Sequence, residues 1–154
     1  MDVDGVLTDG TFVWTASGEE SKRFCFADIM GLSHARQAGI VLGLISGEDG
    51  ELIDRLATKI AAARVAKGCK DKAQALRDFS AATAIPLERI AYIGDDVNDL
   101  SALAISGLSA APANARPAVK AMASLVLECS GGHGAVRQFV EIILAARVQS
   151  GSSK

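Results

Sequence analysis

What this sequence lacks narrows it first. It has no excess of charge: 16 basic and 18 acidic residues leave a formal net charge of −2. The basic footprint of a nucleic-acid-binding surface is therefore missing. It has no cysteine pair at metal-binding spacing. Cys25, Cys69 and Cys129 are odd in number and far apart, which points to reduced thiols in a cytoplasmic protein rather than to a zinc site. No apolar run approaches the length of a membrane span, and no signal peptide opens the chain. Neither an internal repeat nor a linker is visible. What remains is 154 residues, 49% of them hydrophobic, enough for one domain over residues 1–154 with a full core.

Short β-prone runs at residues 11–14 and 23–26 flank the turn formers Ala16, Ser17 and Gly18. They predict a β-hairpin over residues 11–26. Its apolar content (Phe12, Val13, Trp14, Phe24, Phe26) is high for a projecting element. It packs either on its own domain or against a neighbouring subunit. After it the pattern alternates. Helices are predicted over 29–38, 51–62, 72–83, 100–105, 116–123 and 135–148, with Gly39 ending the first and Asp71 capping the third. Strands are predicted over 40–45, 64–66, 90–93, 107–110 and 125–127. The continuous apolar run 40–45 has the character of a strand covered on both faces. The polar residues 149–154 read as a flexible tail. The result is an α/β fold: a Rossmann-like parallel sheet with helices on both faces and right-handed crossovers, plus the projecting hairpin.

The chain start is unusual. Asp2 and Asp4 follow Met1 directly, whereas a central strand carries several apolar residues before its functional end. The first strand therefore reads as truncated, through a misassigned start or a domain boundary.

The chemistry lies at predicted strand ends, where open parallel sheets bind ligands. In Asp2-Val3-Asp4-Gly5 two carboxylates stand two residues apart, and strand alternation would point them the same way. One can bind a metal and attack phosphorus while the other moves a proton. Taken alone, the run reads equally as a turn with a solvated acidic face. Gly94-Asp95-Asp96-Val97-Asn98-Asp99 follows another buried strand. Four acidic or amide groups there exceed what a helix cap requires, although Asp99 by itself reads as a cap. Mg²⁺ takes oxygen ligands of this kind, together with phosphate and water. Ser46 and Gly47 end the strand 40–45, where a hydroxyl and backbone N–H groups at a helix start can hold a phosphate. Lys72 opens a helix against the helix dipole, a cost easier to understand if it faces an anion.

Acidic pair, Ser, Lys and acidic cluster, each after a strand, resemble the four motifs of the haloacid dehalogenase superfamily of phosphatases. The resemblance covers essentially the whole chain and implies roles. Asp2 would be the nucleophile that forms an aspartyl phosphate. Asp4 would protonate the leaving oxygen and then deprotonate the attacking water. Mg²⁺ would be held by Asp2, the Asp4 backbone carbonyl and Asp95. Asp96 and Asp99 would support the metal or Lys72. Ser46, Gly47 and Lys72 would bind the phosphoryl group.

About 40 residues separate Asp4 from Ser46, and fewer lie between Ser46 and Lys72, which leaves no room for an inserted cap domain. The chain looks like the capless branch that dephosphorylates 3-deoxy-2-keto sugar acids. Leu7-Thr8-Asp9-Gly10, Gly18-Glu19-Glu20, Asp28 and the Gly131-Gly132-x-Gly134-Ala135-Val136-Arg137 run carry that likeness. It implies a homo-oligomer, a tetramer with packed hairpins, in which a neighbouring subunit helps to close the site. Glu48 stands where enzymes for the eight-carbon 3-deoxy-D-manno-octulosonate 8-phosphate usually carry Arg. With Lys59 it resembles the sub-branch acting on nine-carbon acids, the nonulosonate and sialic-acid 9-phosphates, and this is the preferred sequence reading. The octulosonate enzyme is its alternative. His133 stands where the eight-carbon enzymes commonly carry a carboxylate-binding Arg, and His34 reads as structural. A further alternative is the C-terminal assembly domain of a cytidylyltransferase that activates sialic acids.

Overall fold

The computed structural model describes residues 1–151. A short antiparallel hairpin comes first, β1 (Val13–Trp14) with β2 (Glu20–Ser21). Then follow α1 (Phe26–Gln37), β3 (Gly43–Ile45), α2 (Glu51–Ile60), β4 (Arg64–Ala66) and α3 (Lys72–Thr83). A 3₁₀ turn (Leu87–Arg89) leads into β5 (Ala91–Ile93), and a second one (Val97–Asp99) leads into α4 (Leu100–Ile105). The chain ends with β6 (Leu108–Ala111), α5 (Pro117–Met122), β7 (Leu125–Val126) and α6 (Ala135–Gly151).

β3 pairs with β4, and β5, β6 and β7 pair in order, all in parallel. The first two residues join these two ladders. Met1 N donates to Gly43 O at 3.0 Å, Ile45 N to Met1 O at 2.9 Å, and Asp2 N to Ile93 O at 3.0 Å. The sheet therefore runs β4, β3, the Met1–Asp2 segment, β5, β6, β7. Beneath Met1, between β3 and β5, lies an apolar cavity of about 120 Å³ lined by Leu42, Gly43, Phe79, Ala91 and Val140 among others.

Neighbouring residues of one strand enter opposite faces of the sheet, as the two-residue period requires. Leu44, Ile93 and Ala110 pack in a core layer with α1, α2 and α6. Ile45, Tyr92 and Ala111 pack in another with α3, α4 and α5. Helices thus cover both faces, and no inserted cap interrupts the order of elements.

Several boundaries move from the sequence expectation. β2 forms earlier than predicted, because Thr15 N donates to Glu19 O and Gly18 N to Thr15 O, which closes the hairpin tightly. Phe26, expected in the hairpin, instead begins α1. α2 ends at Ile60, since Ala61 adopts a left-handed φ of 51°. Residues 149–151, expected in a flexible tail, continue α6; the rest of that tail lies outside the described residues. Among the described residues no helix is long and apolar enough to cross a membrane, and Cys25, Cys69 and Cys129 are free thiols.

Candidate active site

The ends of four parallel segments converge on one open cleft of about 500 Å³. Asp2 ends the central segment, Ser46 and Gly47 follow β3, Lys72 begins α3, and Asp95 and Asp96 follow β5. All of them line the cleft, as do Asp4, Gly5 and Glu48. Phe12, Trp14, Glu20 and Lys22 line it from the hairpin side.

Asp2 and Asp4 meet in the cleft by a route other than the one expected. They are not alternate residues of a strand. After Asp2 the backbone turns, with Leu7 N donating to Val3 O at 2.8 Å, and Asp4 sits on that turn. Gly5 makes the turn possible. Its φ of +78° is left-handed, and a Cβ there would collide with the Asp95 carboxylate. The far side of the turn is braced by Asn114, whose Nδ2 donates to Gly5 O at 2.9 Å while its Oδ1 accepts from Gly131 N at 2.6 Å. The glycine-rich run thus supports the turn that carries Asp4 through its backbone.

Lys72 is the buried cation of the site. Its Nζ lies 2.9 Å from Asp2 Oδ1 and 2.8 Å from Asp99 Oδ1. Asp99 does more than cap a helix. It is fully buried and also accepts from the Tyr92 hydroxyl at 2.7 Å and from the Asp95 and Asp96 N–H groups at 3.1 and 3.3 Å. Four donors saturate this carboxylate, so its work is to hold Lys72 and shape the turn after β5. Ser46, also buried, accepts from Glu48 N at 3.1 Å. That leaves its hydroxyl proton free to donate into the cleft.

The electrostatics favour a cation in the cleft. Burial, and then repulsion from Asp99, push the Asp2 carboxyl up to about 7 despite the Lys72 contact. Burial with repulsion from Asp99 and Asp96 raises Asp95 to about 6. Lys72 would be lowered by burial alone, but the Asp2 and Asp99 carboxylates outweigh that and raise it. The two partners of one ion pair thus both move up. For Asp2 the cause is dehydration, which one lysine shared with Asp99 does not offset. Carboxylate oxygens of Asp2, Asp95 and Asp99 lie within 4.8 Å of one another. With Asp99 saturated, Asp2 and Asp95 are left as hard oxygen donors, and they suit a divalent cation that keeps waters in its shell.

Two predicted residues do not join this constellation within one chain. Lys59 is exposed in the last turn of α2 and is absent from the cleft lining, whereas Glu48 is part of it. His133 is exposed, with its Nδ1 3.0 Å from Gly131 O, and it too lies outside the cleft. His34 lies within α1, as read from the sequence.

Sequence reasoning missed Lys22, Tyr92 and Asn114. Lys22 Nζ reaches both Asp4 oxygens, at 2.9 and 3.0 Å. The available signal was a lone Lys in the returning arm of an apolar hairpin. Tyr92, the chain's one tyrosine, had the signal of a polar-tipped ring inside a buried strand. Asn114 carried none, since its partners are backbone groups distant in sequence.

Residues 48–139 match the family model of the haloacid dehalogenase-like hydrolases. Among curated proteins, the chain is similar to the 3-deoxy-D-manno-octulosonate 8-phosphate phosphatase of Haemophilus influenzae, 37% identical over 149 residues, 97% of this chain and 83% of the relative. Its likeness to the Escherichia coli K12 enzyme of the same name is 34% over 147 residues, 96% of this chain and 78% of the relative. Among solved structures it resembles the Moraxella catarrhalis 3-deoxy-D-manno-octulosonate 8-phosphate phosphatase in complex with magnesium ion, phosphate ion and the sugar acid, with a TM-score of 0.92 and 36% identity over 95% of this chain and 84% of that one. The cobalt-bound H. influenzae phosphatase gives a TM-score of 0.92 and 36% identity over 99% of this chain and 90% of that one. With its strand-end carboxylates, lysine and serine in one cleft and this likeness along nearly its whole length, the chain belongs to the haloacid dehalogenase-like hydrolase family.

Proposed function

We propose that this protein is a magnesium-dependent phosphatase that hydrolyses 3-deoxy-D-manno-octulosonate 8-phosphate to the free sugar acid and inorganic phosphate. The observation that carries the reading is the convergence of Asp2, Asp4, Ser46, Lys72 and Asp95 on one cleft, in a chain similar over almost all its length to enzymes of that name. Their likeness favours the eight-carbon alternative over the nine-carbon reading preferred from sequence. One of the two residues behind the nine-carbon reading, Lys59, also lies away from the cleft. The presence of residues from all four motifs in one cleft supports catalysis over a purely structural role in assembly.

The residues divide the work. Asp2, Asp95 and the Asp4 carbonyl would hold magnesium, which when bound supplies positive charge to the phosphoryl oxygens. An Asp2 oxygen bonds to phosphorus as the phosphorus–sugar oxygen bond breaks. The departing oxygen takes a proton from Asp4. Asp4, now a carboxylate, accepts a proton from water. The water oxygen bonds to phosphorus, the Asp2–phosphorus bond breaks, and phosphate leaves. Ser46 donates to the phosphoryl group and Lys72 balances its charge. Positioning and neutralisation of this kind are the main requirements of phosphoryl transfer.

The cleft is open to solvent on the hairpin side. Phe12, Val13 and Trp14 are 52%, 62% and 67% exposed, and Phe26 at the start of α1 is 72% exposed. Such a patch marks an interaction surface. It supports a homo-oligomer, a tetramer, assembled around the hairpin, with a neighbouring subunit completing the wall of the site. Glu48 at the rim is placed to accept hydrogen bonds from sugar hydroxyls.

Steady-state kinetics on the eight-carbon 8-phosphate and a nine-carbon 9-phosphate, side by side with Mg²⁺, tests the assignment. The eight-carbon substrate should have the higher kcat/KM. A preference for nine carbons would restore the other reading.

A further inference from the structure

The Asp4 carboxyl group has a keeper that lies outside the four motifs. Lys22, one residue beyond β2, places its Nζ 2.9 Å from Asp4 Oδ1 and 3.0 Å from Oδ2. Among the described residues the Thr8 hydroxyl also reaches the Asp4 side chain, at 3.4 Å, near the limit for a hydrogen bond. The two partners differ in freedom. The Lys22 side chain is 6% exposed and that of Asp4 is 32% exposed. The lysine is therefore fixed by its surroundings, while the carboxyl group is free to swing toward water unless something holds it. Lys22 is steadied further by Glu20 at 3.7 Å, which itself accepts from Trp14 Nε1 at 3.0 Å.

A group that gives a proton to one oxygen and then takes one from another must be held in place during both events. A displacement of about 1 Å at a reacting group costs about a hundredfold in rate. An ammonium suits this task. When Asp4 is ionised, both its oxygens can accept from Lys22. When Asp4 is protonated, its carbonyl oxygen still accepts and its hydroxyl can face the leaving group. The contact thus survives both protonation states.

We propose that Lys22 is the positioning residue for Asp4, holding its carboxyl group for proton delivery to the leaving oxygen and for proton removal from water. The inference rests on the reading of Asp4 as the proton shuttle. It also makes the hairpin a contributor to catalysis, since β2 leads directly into the lysine.

The test compares Lys22→Met, Lys22→Arg and Asp4→Asn on two substrates: the eight-carbon 8-phosphate, whose alkoxide leaves poorly, and p-nitrophenyl phosphate, whose leaving group needs little protonation. Melting temperatures first establish that the variants fold; Met keeps the length of the buried stem, and Arg keeps the charge and forks onto a carboxylate. Lys22→Met should lower kcat on the sugar phosphate by about tenfold to a hundredfold with little change in KM, and by less than about threefold on the aryl phosphate. Lys22→Arg should recover most of the loss. Equal losses on both substrates, a loss confined to KM, or an Arg variant no better than Met would overturn the role given to Lys22. If Asp4→Asn shows leaving-group dependence and Lys22→Met does not, the Lys22 proposal alone falls. If Asp4→Asn itself shows none, the proton-shuttle reading falls, and this proposal with it.

Discussion

Lys72 Nζ lies 2.8 Å from Asp99 Oδ1, and both side chains are withdrawn from solvent. The same ammonium touches Asp2 Oδ1 at 2.9 Å. Asp99 thus stands behind the lysine and Asp2 at its front, facing the cleft. The rear carboxylate is tied by the Tyr92 hydroxyl and by two N–H groups of the turn after β5, so the position of Lys72 is set by the sheet itself.

Removing the rear carboxylate should therefore unsettle the fold as well as the site. Asp99→Ala leaves a buried hydroxyl and two N–H groups without this acceptor, and the buried ammonium with Asp2 as its remaining carboxylate. Breaking a buried charge pair from one side costs about 3–5 kcal/mol. Chemical denaturation should show a loss of that order, and less for Asp99→Asn, which keeps one acceptor oxygen. A loss below about 1 kcal/mol would mean that the surroundings re-form these bonds with water.

Metal binding should depend on pH in a definite direction. Burial raises Asp2 to about 7 and Asp95 to about 6, above the roughly 3.9 of an unfolded aspartate. At these two carboxyl groups the metal-free folded state binds more protons than the unfolded chain between about pH 4 and 7, so their contribution to stability falls as pH rises through that window. Mg²⁺ must displace the same protons, so its affinity rises over that range. Thermal melts with and without Mg²⁺ should show a larger metal-induced gain in Tm at pH 7.5 than at pH 5. Equal gains at both would contradict the account.

Gly5→Ala should damage the metal site more than the fold. The substitution meets a left-handed φ of +78°, and the new Cβ collides with the Asp95 carboxylate. Displacing one ligand should weaken Mg²⁺ by about tenfold to a hundredfold, read by titration calorimetry. An unchanged Mg²⁺ affinity would argue that Asp95 is not a ligand.

Assembly should depend on the hairpin. Light scattering should give a tetramer for the wild type. Phe12→Ser with Trp14→Ser should shift it toward monomer, because both rings belong to the exposed apolar patch and pack together at 4.8 Å between centroids. A wild-type monomer with full activity at micromolar concentration would remove the oligomer from the account.

The fold was legible where local chemistry and tertiary placement agree. Asp71 caps α3 by accepting from Gln74 N at 3.0 Å, and apolar runs mark β3 and β5. The cleft residues were legible because each follows a strand and carries charge or a hydroxyl. What could not be read was set by contacts across the chain. The turn that carries Asp4 is held by Gly5 against Asp95 and by Asn114 against Gly131, pairs far apart in sequence. Lys22 stood out as a lysine in an apolar hairpin, but its partner, a carboxylate 18 positions earlier, is set by tertiary placement. Lys59, which entered with Glu48 through the resemblance to the nine-carbon sub-branch, is exposed in the last turn of α2 and does not line the cleft of its own chain.

The central claim is that Asp2 is the nucleophile of a Mg²⁺-dependent phosphatase. Turnover of the eight-carbon 8-phosphate by wild type and by Asp2→Asn, with Mg²⁺ and with chelator, tests it most directly. Wild type should be active only with Mg²⁺, and a folded Asp2→Asn protein should be inactive in both conditions, because an amide is a poor nucleophile. Substantial Mg²⁺-dependent turnover by Asp2→Asn would contradict it.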